Sequence, residues 1–89
     1  DERQMKDEII EKLKEILSNH QGINVDTATL TPQTPFFDGG LEMDSFAVVE
    51  MVGNVEQAYG IEFSELDFMP ENFASMEKLA EVIERLRTA

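Results

Sequence analysis

Three stretches of this chain repeat apolar residues at helical spacing, and that pattern commits it to an all-α fold. Met5, Ile9, Ile10, Leu13, Ile16 and Leu17 recur in steps of three and four, which puts them on one face of a helix over 3–18. Glu8 with Lys12, and Glu11 with Lys14, are spaced for helical ion pairs, and Asn19-His20-Gln21-Gly22 is a polar stop ending in glycine. Val48, Met51, Val52, Val55, Ala58 and Tyr59 make a second continuous stripe that predicts a core-facing helix over 44–59, ending at Tyr59-Gly60. Ser75 caps a third long helix over 75–87, with Met76, Leu79, Ala80, Val82, Ile83 and Leu86 buried and Phe73 packed at its entrance. Between the last two, Ile61-Glu62-Phe63 is extended, and Ser64-Glu65-Leu66-Asp67 caps a brief helix over 64–69 that stops before Pro70.

The remaining segment, 21–43, has no sustained periodicity and is rich in Thr, Pro and Gly, so it reads as a long connection. A loop of that length is ordered only when something ties it down, and Val25, Leu30, Phe36, Phe37 and Leu41 are the anchors available. In the second helix the valines have modest helix propensity, so packing must supply its stability. Gly53, in the middle of that helix, costs about 1 kcal/mol relative to alanine, which predicts close approach by another element or by a partner. No repeat or second domain interrupts the order, so 1–89 is expected to be one domain.

Charge narrows the class of partner. The net charge is −12, and no Lys or Arg occurs between Lys14 and Lys78, an interval that contains twelve acids. Such a field repels nucleic acid and anionic membrane and speeds encounter with basic protein surfaces. There is no cysteine, so no disulfide supports the fold, and any thiol chemistry requires a thiol brought from outside the polypeptide. With no apolar run long enough to cross a bilayer and no secretory pattern at 1–6, the expected location is cytoplasmic.

The candidate site is Ser45, in Asp44-Ser45-Phe46, directly after the glycine-containing loop 36–43 and directly before the second helix. A serine at a helix start is exposed, and the unpaired N–H groups and positive dipole end there favour a bound phosphate, covalent ones included. Asp-Ser-Leu before an amphipathic helix, in a small acidic helical chain, is the signature of acyl carrier proteins. This sequence resembles that family over essentially its whole length, with Phe46 in place of leucine and with Tyr59-Gly60-Ile61-Glu62-Phe63 downstream.

The resemblance implies a four-helix bundle of acyl carrier type, with a long first loop and a short third helix. It implies that a phosphopantetheinyl transferase moves a 4'-phosphopantetheine arm from coenzyme A to Ser45, that the arm's thiol holds an acyl group as a thioester, and that the protein itself catalyses nothing. Asp44 would help the transferase engage. Glu50 and Glu56 align with acids that family members set against the basic docking surfaces of acyl-loading and acyl-processing enzymes, and Phe46 and Gly53 stand among the partner-facing positions. Val52, Val55, Phe63, Leu66 and Phe68 are candidates to shelter an acyl chain beside the weak third helix. The expected state is a monomer without a metal site.

Departures from the family pattern at Phe46, Ala47, Gly53 and Gln57 point to a specialised fatty acid or polyketide pathway. Peptidyl and aminoacyl carriers of nonribosomal pathways are the nearest alternative, although Gly39-Gly40 lies further upstream of the serine than their motif places it. An unmodified acidic helical adaptor is the other. Hydrolase chemistry at Ser45 lacks a base, since His20 is the only histidine and reads as a helix-end charge. Calcium binding by Asp38, Glu42 and Asp44 fails on sequence, because Met43 and Val49 fall where an EF-hand needs Gly and Glu.

Overall fold

The computed structural model describes residues 2–19, 27–37 and 39–88. His20, Val25 and Asp38, read above as a helix-end charge, a loop anchor and a discarded calcium ligand, lie outside the described residues. Among the described residues all regular structure is helical: α1 (Glu2–Ser18), a 3₁₀ turn (Thr27–Thr29), α2 (Ser45–Tyr59), successive 3₁₀ turns (Glu65–Phe68 and Pro70–Phe73), and α3 (Met76–Thr88). None of these helices is long and apolar enough to cross a membrane.

The periodic side chains build one core. Ile9, Leu13 and Leu17 of α1, Met51, Val52 and Val55 of α2, and Met76, Leu79 and Ile83 of α3 are fully buried, and α1 packs chiefly along α3. Ala58 departs from the stripe predicted for α2 and is exposed, while Tyr59 beside it stays half-buried against the core. Gly60 ends α2 in the left-handed conformation (φ 65°), with its N–H on the Glu56 carbonyl at 2.8 Å. On α1, Glu11 pairs with Lys14 as expected (3.3 Å), while Lys12 turns to Glu15 (3.6 Å) rather than to Glu8. Both partners lie within one turn of Lys12, so the choice is one of rotamer.

The short helix expected over 64–69 is present as a 3₁₀ helix, Glu65–Phe68, with Ser64 as its cap, and a second 3₁₀ helix, Pro70–Phe73, follows it. Pro70 has no N–H to continue the first and instead opens the second. The segment is fixed by Asp67, which is only 7% exposed. Its carboxylate accepts from the Ser64 N–H (2.9 Å) and Oγ (3.0 Å) and from the Arg85 guanidinium (2.6 Å), while Asn72 donates to its carbonyl at 3.2 Å. The Ser64 amide foremost, with the Ser64 hydroxyl and Arg85 beside it, outweighs burial and holds the Asp67 carboxyl below the usual carboxylate value. Two residues on, Arg87 lies over the Tyr59 ring at 4.9 Å, so the last turn of α3 grips both α2 and the 3₁₀ segment.

The long connection is tied at both ends of its described part. Leu30 and Phe36 are buried, with Phe37 and Leu41 packed partly against the core. Phe73 meets Phe36 edge-on at 5.9 Å and Phe37 at 6.2 Å. The Phe36 N–H donates to the Phe73 carbonyl (3.2 Å), and the amides of Met76 and Glu77 donate back to Thr34 (3.0 Å) and Pro32 (2.8 Å). The loop thus supplies acceptors for the first turn of α3, which would otherwise be without them.

Candidate functional site

The same loop delivers Ser45 to the start of α2. From Phe36 onward it folds back on itself: Leu41 N–H bonds to the Pro35 carbonyl, Glu42 N–H to Phe37, and Met43 N–H to Phe36, each at 2.9 Å. Gly40 is required, since a Cβ there would collide with Pro35. Met43 is buried and anchors the strand of chain that leads into the helix. Fixed at both ends, the loop sets where α2 begins.

Asp44 is the N-cap. Its backbone is extended (φ −88°, ψ 173°), its Oδ1 accepts from the Ala47 N–H at 2.8 Å, and its carbonyl takes the Val48 N–H at 3.0 Å. Ser45 is therefore the first helical residue and not the cap, so the capping role that would explain a serine here without chemistry belongs to its neighbour. The Ser45 hydroxyl is exposed. The other three serines are all engaged: Ser18 Oγ donates to the Glu15 carbonyl (2.8 Å), Ser64 Oγ donates to Asp67 (3.0 Å), and Ser75 Oγ accepts from the Lys78 N–H (3.1 Å). Among the described residues the Ser45 hydroxyl has no such partner, and the amides of Ser45 and Phe46 remain open in the same turn. A free hydroxyl beside unpaired N–H groups at the positive end of a 15-residue helix fits a phosphodiester.

The surroundings are acidic and apolar together. Glu42, Asp44 and Glu50 are exposed and take part in no ion pair among the described residues; the bridges found there all use bases of α1 or α3. Phe46 is 74% exposed and Val49 55%. Gly53, half-buried on the same helix, has helical backbone, and a Cβ there would meet nothing within 4 Å. Among the described residues no element makes the close approach that its glycine suggested. Glu56 is only half-exposed, and its carboxylate accepts from the Phe63 N–H at 2.8 Å, which ties the end of α2 to the segment after it.

The residues read as acyl-shelter candidates are split by the structure. Val52, Val55 and Phe63 belong to the core, and the Phe68 ring lies 5.7 Å from that of Phe63, while Leu66 is 78% exposed on the outside of the 3₁₀ turn. Glu42 is a feature that sequence reasoning missed. It is the one non-glycine with positive φ (51°) among the described residues, three positions before Ser45. The nearby glycines signalled a turn, but only the hydrogen bond to Phe37 reveals which residue takes the left-handed conformation. The cap role of Asp44 was missed as well, since the helix was expected to start at 44, although Asp is a preferred N-cap and the Ala47 amide lies three residues on.

Comparison with known proteins agrees with this arrangement. Residues 7–83 match the family model described as "Phosphopantetheine attachment site". The chain is also similar to a protein of Rubrobacter xylanophilus named "Acyl carrier protein", at 31% identity over 84 residues, covering 94% of this chain and 98% of that one.

Proposed function

This chain belongs to the phosphopantetheine attachment-site family, and on that premise we propose that it is an acyl carrier whose Ser45 hydroxyl bears the 4'-phosphopantetheine arm. The observation that carries the assignment to Ser45 is that its hydroxyl alone among the four serines is exposed and uncommitted among the described residues. When attached, the group supplies a thiol that holds an acyl chain as a thioester. The polypeptide presents and orients it and performs no catalysis. Asp44 closes the helix behind Ser45 and leaves the serine outside the capping interaction. Exposed Glu42, Asp44 and Glu50 bring partners with basic surfaces, namely a phosphopantetheinyl transferase and the acyl-loading and acyl-processing enzymes; each pair is worth under about 1 kcal/mol, and together they raise the encounter rate.

Asp44 directly before the serine, and the name of the Rubrobacter relative, favour acyl over aminoacyl cargo. Phe46, Gly53 and Gln57 on the docking helix favour a specialised fatty acid or polyketide pathway. High like charge supports a monomer, and the absence of cysteine suits the cytoplasm. Sheltering of an acyl chain would engage Val52, Val55, Phe63 and Phe68 through movement of the 3₁₀ segment, with exposed Leu66 outside the shelter. Identical amide shifts in the arm-bearing and long-acyl forms would count against that step.

The test of the assignment is intact mass after incubation with coenzyme A, magnesium and a broad-specificity phosphopantetheinyl transferase. Wild-type protein should gain the mass of one phosphopantetheine and Ser45→Ala none. A folded wild-type chain that gains nothing from a transferase competent on other carriers would be an unmodified acidic adaptor.

A further inference from the structure

We propose that residues 64–72 form a strap that opens as a unit over the rings of Phe63 and Phe73, and that the Asp67–Arg85 ion pair is its latch. Its meaning as a gate for an acyl chain rests on the function proposed above; the strap itself is tested on the chain without the arm, so the two fail separately. Apolar side chains hold α1, α2 and α3 together, but they do not hold the strap. Asp67 is the only buried residue within it, and Leu66, Phe68 and Met69 are exposed.

Both ends of the strap are fixed from outside. The Phe63 N–H donates to the Glu56 carboxylate (2.8 Å), the Phe73 carbonyl accepts from the Phe36 N–H (3.2 Å), and both rings are buried. Between those points, the bonds from Ser64 to the Asp67 carboxylate and from Asn72 to the Asp67 carbonyl are local and tie the segment only to itself. Arg85 reaches in from α3. Among the described residues its 2.6 Å bond to Asp67 is the one side-chain hydrogen bond between 64–72 and the rest of the chain.

Such a latch is directional and costs little to release. A buried ion pair returns most of its Coulombic gain as desolvation, and release puts both partners back in water, where the Arg85 side chain is already 63% exposed. The ring withdrawn is that of Phe68, which lies 5.7 Å from Phe63 and 6.5 Å from Phe73. Opening therefore uncovers a bounded apolar surface while the packing of α1, α2 and α3 persists, at a free energy below that of global unfolding. Short 3₁₀ turns have poor hydrogen-bond geometry and do not persist alone, so the amides inside the strap exchange when it opens.

The experiment is residue-resolved amide hydrogen exchange by NMR on wild type, Arg85→Met and Arg85→Lys. In Arg85→Met the Asp67 and Asn72 amides, bonded within the strap to the Ser64 and Met69 carbonyls, should exchange roughly tenfold faster or more. The Phe36 and Phe63 amides at the fixed ends, and those of Leu13 and Ile83 in the core, should change by less than about twofold. Arg85→Lys, which keeps the charge without the planar fork, should fall between. The apparent affinity of Arg85→Met for N-phenylnaphthylamine, a neutral apolar dye, should rise in step with exchange. Equal acceleration at all these amides would overturn the proposal, because the pair would then support the whole domain and latch nothing. So would unchanged exchange at Asp67 and Asn72, or faster exchange there without tighter dye binding.

Discussion

At the start of α3, the Ser75 hydroxyl accepts from Lys78, and the loop carbonyls of Thr34 and Pro32 take the amides of Met76 and Glu77; at the start of α2, Asp44 takes the cap, Ser45 moves one position inward, and the amides of Ser45 and Phe46 are left open among the described residues. The two sites have the same raw materials, a serine and a helix N-terminus. One residue of register separates them. As the cap, serine spends its hydroxyl on the helix; as the first helical residue, it keeps the hydroxyl for chemistry, and the dipole end stays available to an anion. The long loop serves both, closing α3 with its carbonyls and aiming Ser45 with its own internal hydrogen bonds.

The strongest way to break the contrast is through Phe36, which is buried and bonds through its backbone to Phe73 on one side and to Met43 on the other. Phe36→Ala should lose about 3–5 kcal/mol in urea unfolding, a large part of the stability of a domain this size. A loss under about 1 kcal/mol would mean that the loop is not what joins the two helix starts.

Asp67 offers the next effect. Its carboxyl is held below the ordinary value chiefly by the Ser64 amide, so the ionised form favours the folded state. That contribution is complete above the unfolded value near 4 and is lost as pH falls through the lower folded value. Asp67→Asn should cost about 1–3 kcal/mol at pH 7, with the difference from wild type shrinking on acidification below about pH 4. A difference that stays constant from pH 7 to pH 3 would contradict the ionic part of the account.

The two serines then sharpen the comparison directly. Ser75→Ala should destabilise by about 1 kcal/mol through loss of a cap and still accept the arm, whereas Ser45→Ala should stay within about 0.5 kcal/mol of wild type and accept none. Equal stability losses would erase the distinction between cap and first helical residue. At the small end, Glu42→Gly should raise stability by on the order of 0.5–1 kcal/mol, as relief of the left-handed conformation (φ 51°) exceeds the entropy that glycine adds to the unfolded chain. Chemical denaturation of both proteins measures it, and a fall in stability would show that the Glu42 side chain repays its backbone strain.

Most of this architecture could be read from sequence because burial follows the helical period. The stripes on α1 and α3, the αL stop at Gly60 and the place of Ser45 between loop and helix are all local features. What escaped was set by tertiary contact. Ala58 fits the α2 stripe by spacing but is exposed, while Tyr59 next to it takes the contact with the core and with Arg87. Asp67 meets Arg85 eighteen residues away, a pairing no local spacing encodes, whereas the short helix capped by Ser64 was legible and only its 3₁₀ form and the second turn at Pro70–Phe73 were not. The left-handed Glu42 depends on a carbonyl five residues back. Gly53 was legible as an anomaly, and among the described residues nothing approaches it closely enough to account for it.

The most direct measurement of the central claim is the site of attachment: proteolysis of the transferase-treated chain and fragmentation of every serine-bearing peptide by tandem mass spectrometry. The account predicts phosphopantetheine on the peptide containing Ser45 alone, with Ser18, Ser64 and Ser75 unmodified. Modification of Ser75, or loading that persists in Ser45→Ala, would contradict it.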